Sequence, residues 1–263
     1  MATTYLDAIL AAHRGRVAAD DRPFERLADE ARAGPPTREF AGALTAGFSV
    51  IAEVKRRSPS KGAIDEGLDP ATLATSYERG GAACISVLTD VEYFGGSPAD
   101  LAAARDAVSL PVLRKDFTVS LADVCDARIM GADALLLIVA ALDDSELSDF
   151  HAFATELGLD ALVEVHDEHE LERALQVGAT LIGVNQRDLF TFDVDTDRAV
   201  RLAPQMPEGV VRVAESGITG PEAAAPLAAA GYHAVLVGES LVRSADPSAA
   251  VAALRAVGEK TDR

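Results

Sequence analysis

The chain has 263 residues, 49% hydrophobic and 25% charged, which gives it room for a large core and the composition of a folded globular protein. Its 42 acidic and 24 basic residues leave a net charge of −18, a surface that repels nucleic acid and anionic lipid, so neither is expected as a partner. No apolar run approaches the roughly 20 residues of a bilayer span. The opening MATTYLDAILAAHRGR reads as a helix rather than a signal peptide, and two cysteines, Cys84 and Cys125, make no disulfide framework; a cytoplasmic location is expected.

In chain order, residues 1–47 are expected to form a helical extension, with helices near 4–17 and 23–33 and apolar Leu6, Ile9 and Leu10 available to pack across a barrel end. From there, β-branched apolar runs alternate with Ala-rich amphipathic stretches. Strands are predicted over 48–55, 83–89, 112–115, 134–139, 161–165, 181–185, 210–215 and 234–238. Helices are predicted over 99–108, 121–129, 145–157, 168–177 and 223–230. Gly131, Gly178 and Gly231 stand where left-handed caps would end three of them. Nearly continuous apolar strands joined by helices mean a parallel sheet covered on both faces. Eight such units, without a glycine-rich turn after the first strand, fit a closed (β/α)8 TIM barrel of the α/β class, and residues 1–263 are read as one domain.

In such barrels the chemistry gathers where strands end, so the last residues of each strand are candidates chosen by geometry. Strand 1 ends with Glu53 and Lys55, strand 3 with Lys115 and Asp116, and strand 5 with Glu164. Strand 6 ends with Asn185 before Arg187, strand 7 with Glu215 and Ser216, and strand 8 with Gly238, Glu239 and Ser240. Only four lysines occur, against twenty arginines, and Lys55, Lys61 and Lys115 all fall in strand-end segments. A compact ammonium with a tunable pKa is what acid–base chemistry needs at such a place.

AESGITGPEAA and LVGESLV put Gly217, Gly220 and Pro221, and then Gly238 and Ser240, at the starts of two adjacent helices, a pattern that fits a phosphate. Lys55, Ser58 and Arg187 can hold a second anionic group. Phe94, Phe117 and Leu137 are expected to supply an apolar wall. Among Glu53, Glu164 and Glu215, burial pulls the pKa of Lys115 down while the carboxylates hold it charged; either way it can donate a proton to a developing oxyanion. His166 and His169 with Glu164 and Glu170 have ligand-like spacing, but acidic residues also suit a helix start there, and no metal is expected.

The segments EVKRRSPSKG, VLTDVEYFGGS, LRKDF, LVEVH, GVNQRDL, VAESGI and LVGESL, in that order and spacing, resemble indole-3-glycerol-phosphate synthases across about residues 48–245, and that family also carries an N-terminal helical extension. The resemblance implies that Lys115 is the general acid of ring closure and Glu164 the partner acid/base of dehydration. It further implies that Glu53, Lys55 and Asn185 orient substrate and catalytic groups, with Glu215 and Ser216 lining the same mouth. Gly217, Gly238 and Ser240 correspond to the phosphate grip, Arg187 and Ser58 to anion contacts, and Phe94 and Phe117 to the aryl contacts. The implied substrate is a phosphorylated anthranilate-sugar, 1-(2-carboxyphenylamino)-1-deoxyribulose 5-phosphate. No step transfers hydride or needs an electron sink, so no cofactor is expected, and a monomer or weak homodimer is. Arg57 and Gln186 stand at variable-looking loop positions, and Glu239 places a negative charge beside the phosphate segment. A phosphoribosylanthranilate isomerase-like barrel, which would use a Cys/Asp pair with the Cys closing strand 1, and a non-catalytic phosphosugar-binding protein are the alternatives.

Overall fold

The structure, a computed structural model, describes residues 4–58 and 62–258; Lys61 and Lys260 lie outside the described residues. Eight parallel strands close into a barrel: β1 (Ser49–Val54), β2 (Cys84–Leu88), β3 (Val112–Lys115), β4 (Ala134–Ile138), β5 (Asp160–Val165), β6 (Leu181–Asn185), β7 (Val211–Glu215) and β8 (Ala234–Val237). Each strand pairs with the next, and β8 returns to β1 with Ser49 beside Ala234. Every strand boundary falls within one residue of its predicted position. Closure buries both strand faces, which is why the strands read as apolar runs rather than as alternating patterns.

The helices that cover the barrel are well punctuated. Asp69, Ser97, Ser120, Asp143, Asp167 and Asp246 each accept a backbone N–H of the helix they precede. Such caps contribute about 1 kcal/mol each. Gly131, Gly178 and Gly231 take the expected left-handed conformation, with φ of +87°, +80° and +84°. Pro221 stands at a helix N-terminus, as predicted, and Glu239–Val242 forms the short helix expected after β8.

The extension does more than cover one end. Its first helix, α1 (Tyr5–Ala18), begins at a Thr4–Asp7 capping box and lies at the rim of the barrel mouth, burying Leu6, Ile9 and His13. His13 Nε2 lies 3.1 Å from Asp90 Oδ2 and 3.8 Å from Asp116 Oδ1, residues that follow β2 and β3. The next helix, α2 (Phe24–Arg32), runs against Leu121–Ile129 on the outside. The chain then reaches the opposite end, where the Arg38 N–H donates to Asp133 (2.8 Å) and the Ala41 N–H to Asp160 (2.8 Å). Phe40 and Leu44 are fully buried there, and the Cys84 thiol donates to the Phe40 carbonyl. The extension therefore clamps both ends of the barrel. Phe40→Ala should lower stability by about 3–5 kcal/mol, the usual cost of emptying a buried Phe site; a shift in the urea midpoint at unchanged m-value checks this.

Candidate active site

At the C-terminal ends of the strands the barrel opens into a cavity of about 620 Å³, within the range of small-molecule sites. Glu53, Lys55, Lys115, Glu164, Asn185, Glu215, Ser216, Ser58, Phe94, Phe117, Arg187, Gly217, Gly238 and Ser240 all line it. These fourteen of the positions singled out in the sequence thus meet in one space.

At its floor sits Lys115. Its Nζ lies 2.9 Å from Glu164 Oε2 and 3.2 Å from Glu215 Oε2. Glu164 Oε1 accepts from Asn185 Nδ2 at 3.0 Å, so both oxygens of Glu164 are fixed. Beside this trio, Lys55 Nζ donates to Glu53 Oε1 at 2.5 Å, and Ser86 donates to Glu53 Oε2 at 3.2 Å. Glu53, Glu164 and Glu215 are almost wholly buried, at 3%, 1% and 2% exposure, so their charges interact in a poorly screened environment.

Environment sets each proton. Burial alone would pull the Lys115 ammonium down, but Glu164, Glu215 and Glu53 together outweigh it and hold the group well above its ordinary value. For Glu164, burial works against the charged form, yet Lys115, His166 and the Asn185 amide win and lower its pKa. For Glu215, burial again disfavours charge; Lys115 offsets only part of that, and Glu164 and Glu53 add repulsion, so its pKa rises well above the carboxylate range. Glu215 Oε1 is buried with no hydrogen-bond partner among the described residues, as suits a carboxyl that keeps its proton. Two like residues on one cation are thereby split into a base and an acid.

Glycine makes space for these groups. A Cβ on Gly183, in the middle of β6, would lie 2.1 Å from Glu215 Oε1, and one on Gly238 would lie 2.6 Å from Glu53 Oε1. Gly183 was not among the predicted site residues, although an isolated glycine inside an apolar strand is the usual sign of such a close approach.

On the β7 and β8 side, Ser216 and Gly217 both adopt positive φ, +66° and +73°. The Ser240 hydroxyl donates to the Ile218 carbonyl at 3.1 Å and ties the two loops together. Glu239 turns to Arg243 (3.2 Å), and Arg243, not singled out in the sequence, lines the cavity. Gln186, in the loop after β6 as expected, is 2% exposed and donates to the Ser216 carbonyl at 2.8 Å, bracing the left-handed turn.

The apolar wall also differs in part. Phe94 and Phe117 face each other at 6.3 Å, but Leu137 points away into the core while Leu136 and Ile138 line the cavity. Alternation along the strand settles which residues face inward, and the sequence expectation was one residue out of register. Leu189, Phe192 and Val194, from the loop after β6, complete the wall and were not predicted. That loop folds over Arg187, whose guanidinium donates to the Phe192 carbonyl at 3.0 Å.

The histidine-carboxylate spacing of EVHDEHE does not gather one ligand set. His166 lies between Glu164 and Glu170, whereas His169 borders a separate outer hollow with Asp143, Asp144 and Glu172. His13, Asp90 and Asp116 do converge. Their carboxylates are already engaged by Arg16, Arg114, Thr89 and the backbone N–H groups of Tyr93 and Phe117, which makes the trio a latch for α1.

Comparison with known proteins agrees with this geometry. The family described as Indole-3-glycerol phosphate synthase matches residues 6–254. The chain belongs to the indole-3-glycerol phosphate synthase family. The enzyme of that name from Micrococcus luteus is 53% identical over 90% of each chain, and that from Nocardioides sp. is 58% identical over 82% of this chain and 84% of its own. The Laribacter hongkongensis enzyme is 51% identical over 95% of this chain and 98% of its own. Among solved structures, a thiamine phosphate pyrophosphorylase from Pyrococcus furiosus superposes with a TM-score of 0.62 over 85% of this chain and 99% of that one; at 16% identity the likeness concerns the barrel alone.

Because Gly183 leaves room for the Glu215 carboxyl, Gly183→Ala should displace it from Lys115. A fall in kcat of roughly a hundredfold is expected, the cost of a misplacement of about 1 Å, with KM changed far less; steady-state kinetics of the purified variant checks it.

Proposed function

We propose that the strand-end groups of this barrel perform the family's reaction, the decarboxylative ring closure of 1-(2-carboxyphenylamino)-1-deoxyribulose 5-phosphate to indole-3-glycerol phosphate. As a member of the family the chain is a carboxy-lyase of tryptophan biosynthesis and acts on a phosphorylated small molecule. The observation that carries the residue-level reading is the Lys115 ammonium, held charged and aimed into the cavity between Glu164 and Glu215.

Ring closure joins the carboxylate-bearing aryl carbon to the C2′ carbonyl carbon, and negative charge develops on the carbonyl oxygen. Lys115 stabilises that charge and donates the proton that turns the oxygen into a hydroxyl. The C–C bond to the carboxylate then breaks, CO2 leaves, and its electron pair restores the aromatic ring. In the dehydration Glu164, ionised at the start, takes a proton from C1′ and returns one to the departing hydroxyl, which leaves as water. Lys115 ends one proton short, and solvent makes it good once product departs. Glu53 and Lys55 orient the sugar and each other, Asn185 fixes Glu164, and Glu215, neutral beside Lys115, does not compete as a base.

The phosphate belongs at Ser216, Gly217, Gly238 and Ser240, where positive-φ turns and glycine let backbone N–H groups approach its oxygens. Phe94 and Phe117 hold the aryl ring, and Arg187 and Ser58 its carboxylate. A Cys/Asp isomerase finds no support: Cys84 is the first residue of β2, at the end of the strand away from the mouth, and burial pushes its thiol up. We read the extension and barrel as one domain, a cytoplasmic enzyme working as a monomer or weak homodimer on its small-molecule substrate, with neither nucleic acid nor membrane as partner. No helix among the described residues is long and apolar enough to cross a membrane.

A turnover assay following indole fluorescence tests this reading. Lys115→Ala should lower kcat by about a thousandfold or more with the fold intact by circular dichroism, since the lost donor acts mainly in the transition state; near-normal turnover would refute the assignment. Ser240→Asp should chiefly raise KM by setting a charge against the phosphate, and an unchanged KM would move the phosphate elsewhere.

A further inference from the structure

His166, the residue after β5, touches no substrate in the reading above, yet its ring lies beside Glu164. Its backbone N–H and its Nδ1 both meet Glu170 Oε2, at 2.8 Å and 3.0 Å. Its Nε2 lies 3.6 Å from Glu164 Oε1, buried and with no hydrogen-bond partner among the described residues. Glu170 stands four positions on, on Glu168–Gln176, the helix that follows the strand.

The geometry favours a doubly protonated ring. A carboxylate can only accept, so the Nδ1 that meets Glu170 carries a hydrogen. In a neutral ring Nε2 would then present its lone pair to the Glu164 carboxylate, two electron-rich groups facing each other out of water. In an imidazolium, Nε2 presents N–H instead, and the contact becomes attractive. The surrounding charges are consistent with this. Glu164 on β5 and Glu170 on the adjoining helix both favour the cation, and Asp188, in the loop after β6, feels His166 as a positive neighbour. Arg198, on Arg198–Leu202, opposes it, and so does burial, but the net effect is to raise the pKa of the ring.

We propose that His166 is a positioning residue for the reaction: an imidazolium anchored by Glu170, it holds the Glu164 carboxylate in place and keeps it ionised until Glu164 takes the C1′ proton. The site is then a line of alternating charge, Glu170, His166, Glu164, Lys115, ending on neutral Glu215. Lys115 cannot do this alone, because it must surrender its proton during ring closure, when Glu164 would lose its only cationic neighbour. A second cation on the far side of the carboxylate keeps Glu164 a base through that interval. This inference rests on the reading of Glu164 given above.

Two measurements on the full chain test it, one of them independent of turnover. The first is ¹⁵N NMR of histidine-labelled protein, with the His166 signals assigned by their loss in His166→Gln. It should show both ring nitrogens protonated near neutral pH, and Glu164→Gln should lower the His166 midpoint by roughly one unit or more, the usual effect of a close opposite charge. A neutral, Nδ1-protonated ring in the unaltered protein overturns the proposal. The second is the pH dependence of kcat. In His166→Gln the acidic limb should move to higher pH by roughly one unit, because Glu164 without its cation takes up a proton more readily. A merely structural role would scale kcat down equally at every pH, and either that result or an unmoved limb overturns the proposal. Glu170→Gln, which leaves the ring in place but removes its anchor, should move the limb the same way by less, and serves if His166→Gln does not fold. If Glu164→Gln turns over like the unaltered enzyme, it is the role of Glu164 that fails, while the NMR midpoint in that same variant still reports whether the imidazolium exists.

Discussion

A partly buried ammonium among three buried carboxylates is the constraint on which the rest of this molecule depends. Taking any one of these charges out of water costs several kcal/mol, and leaving it unpaired costs more. Two ammonium groups, Lys55 and Lys115, stand among three acids, Glu53, Glu164 and Glu215, so the cluster is one positive charge short. The structure resolves the deficit by letting one acid keep its proton. Glu164, with a fixed amide donor and the Lys115 ammonium 2.9 Å away, stays ionised; Glu215, with an oxygen that bonds nothing among the described residues, does not. The same imbalance that is awkward for folding produces an acid and a base a few ångströms apart.

Holding such a cluster requires a frame that cannot relax around it, and a closed parallel barrel is one. Lys115, Glu164, Asn185 and Glu215 come from four strands, three of them consecutive in the barrel, and each strand is locked to its neighbours by a fixed register. Asn185, for example, is paired with Glu215 across β6 and β7, so the groups on either side of Lys115 cannot slide apart. The glycines at 183 and 238 are the complement of that rigidity: where the frame does not yield, the side chain has to be missing. The extension tightens the frame from both ends. Its mouth-side contact runs through His13 to Asp90 and Asp116 and, ring on ring at 5.3 Å, to Phe117 of the cavity wall, so the position of α1 and the shape of the aryl-facing wall are set together.

What could be read from the sequence, and what could not, divides along the range of the interactions. Strands and their capped helices are local in origin: a run of apolar residues, a Ser or Asp before a helix, a glycine after it. These were legible, as were the strand-end residues, because the topology of a barrel assigns them a common destination. Relations that depend on the far side of the barrel were not. Leu137 and Leu136 are chemically alike, and only the pleat of β4 decides which one faces the cavity. Gln186 reads as an ordinary polar loop residue until the Ser216 carbonyl, thirty positions away, is beside it. Gly183 could have been found, since a glycine within IGVN weakens a strand without evident local purpose, but its reason is an oxygen on β7. His166, His169, Glu164 and Glu170 were noticed for their spacing and weighed as metal ligands; instead His166 alone lies between Glu164 and Glu170, and His169 borders a separate hollow.

The use of lysine in an arginine-rich chain follows from the same cluster. Both lysines among the described residues line the cavity, while structural positive charge elsewhere is carried by arginine: Arg14 to Glu146, Arg22 to Asp126, Arg32 to Glu156, Arg105 to Asp133. A guanidinium makes the better clamp, with a planar fork and a charge that never leaves it. That permanence disqualifies it at position 115, where the group facing a carbonyl oxygen must let go of a proton. An arginine there could carry the same charge beside Glu164 and Glu215 but could not give up its proton. The choice of ammonium therefore follows the chemistry at the barrel mouth.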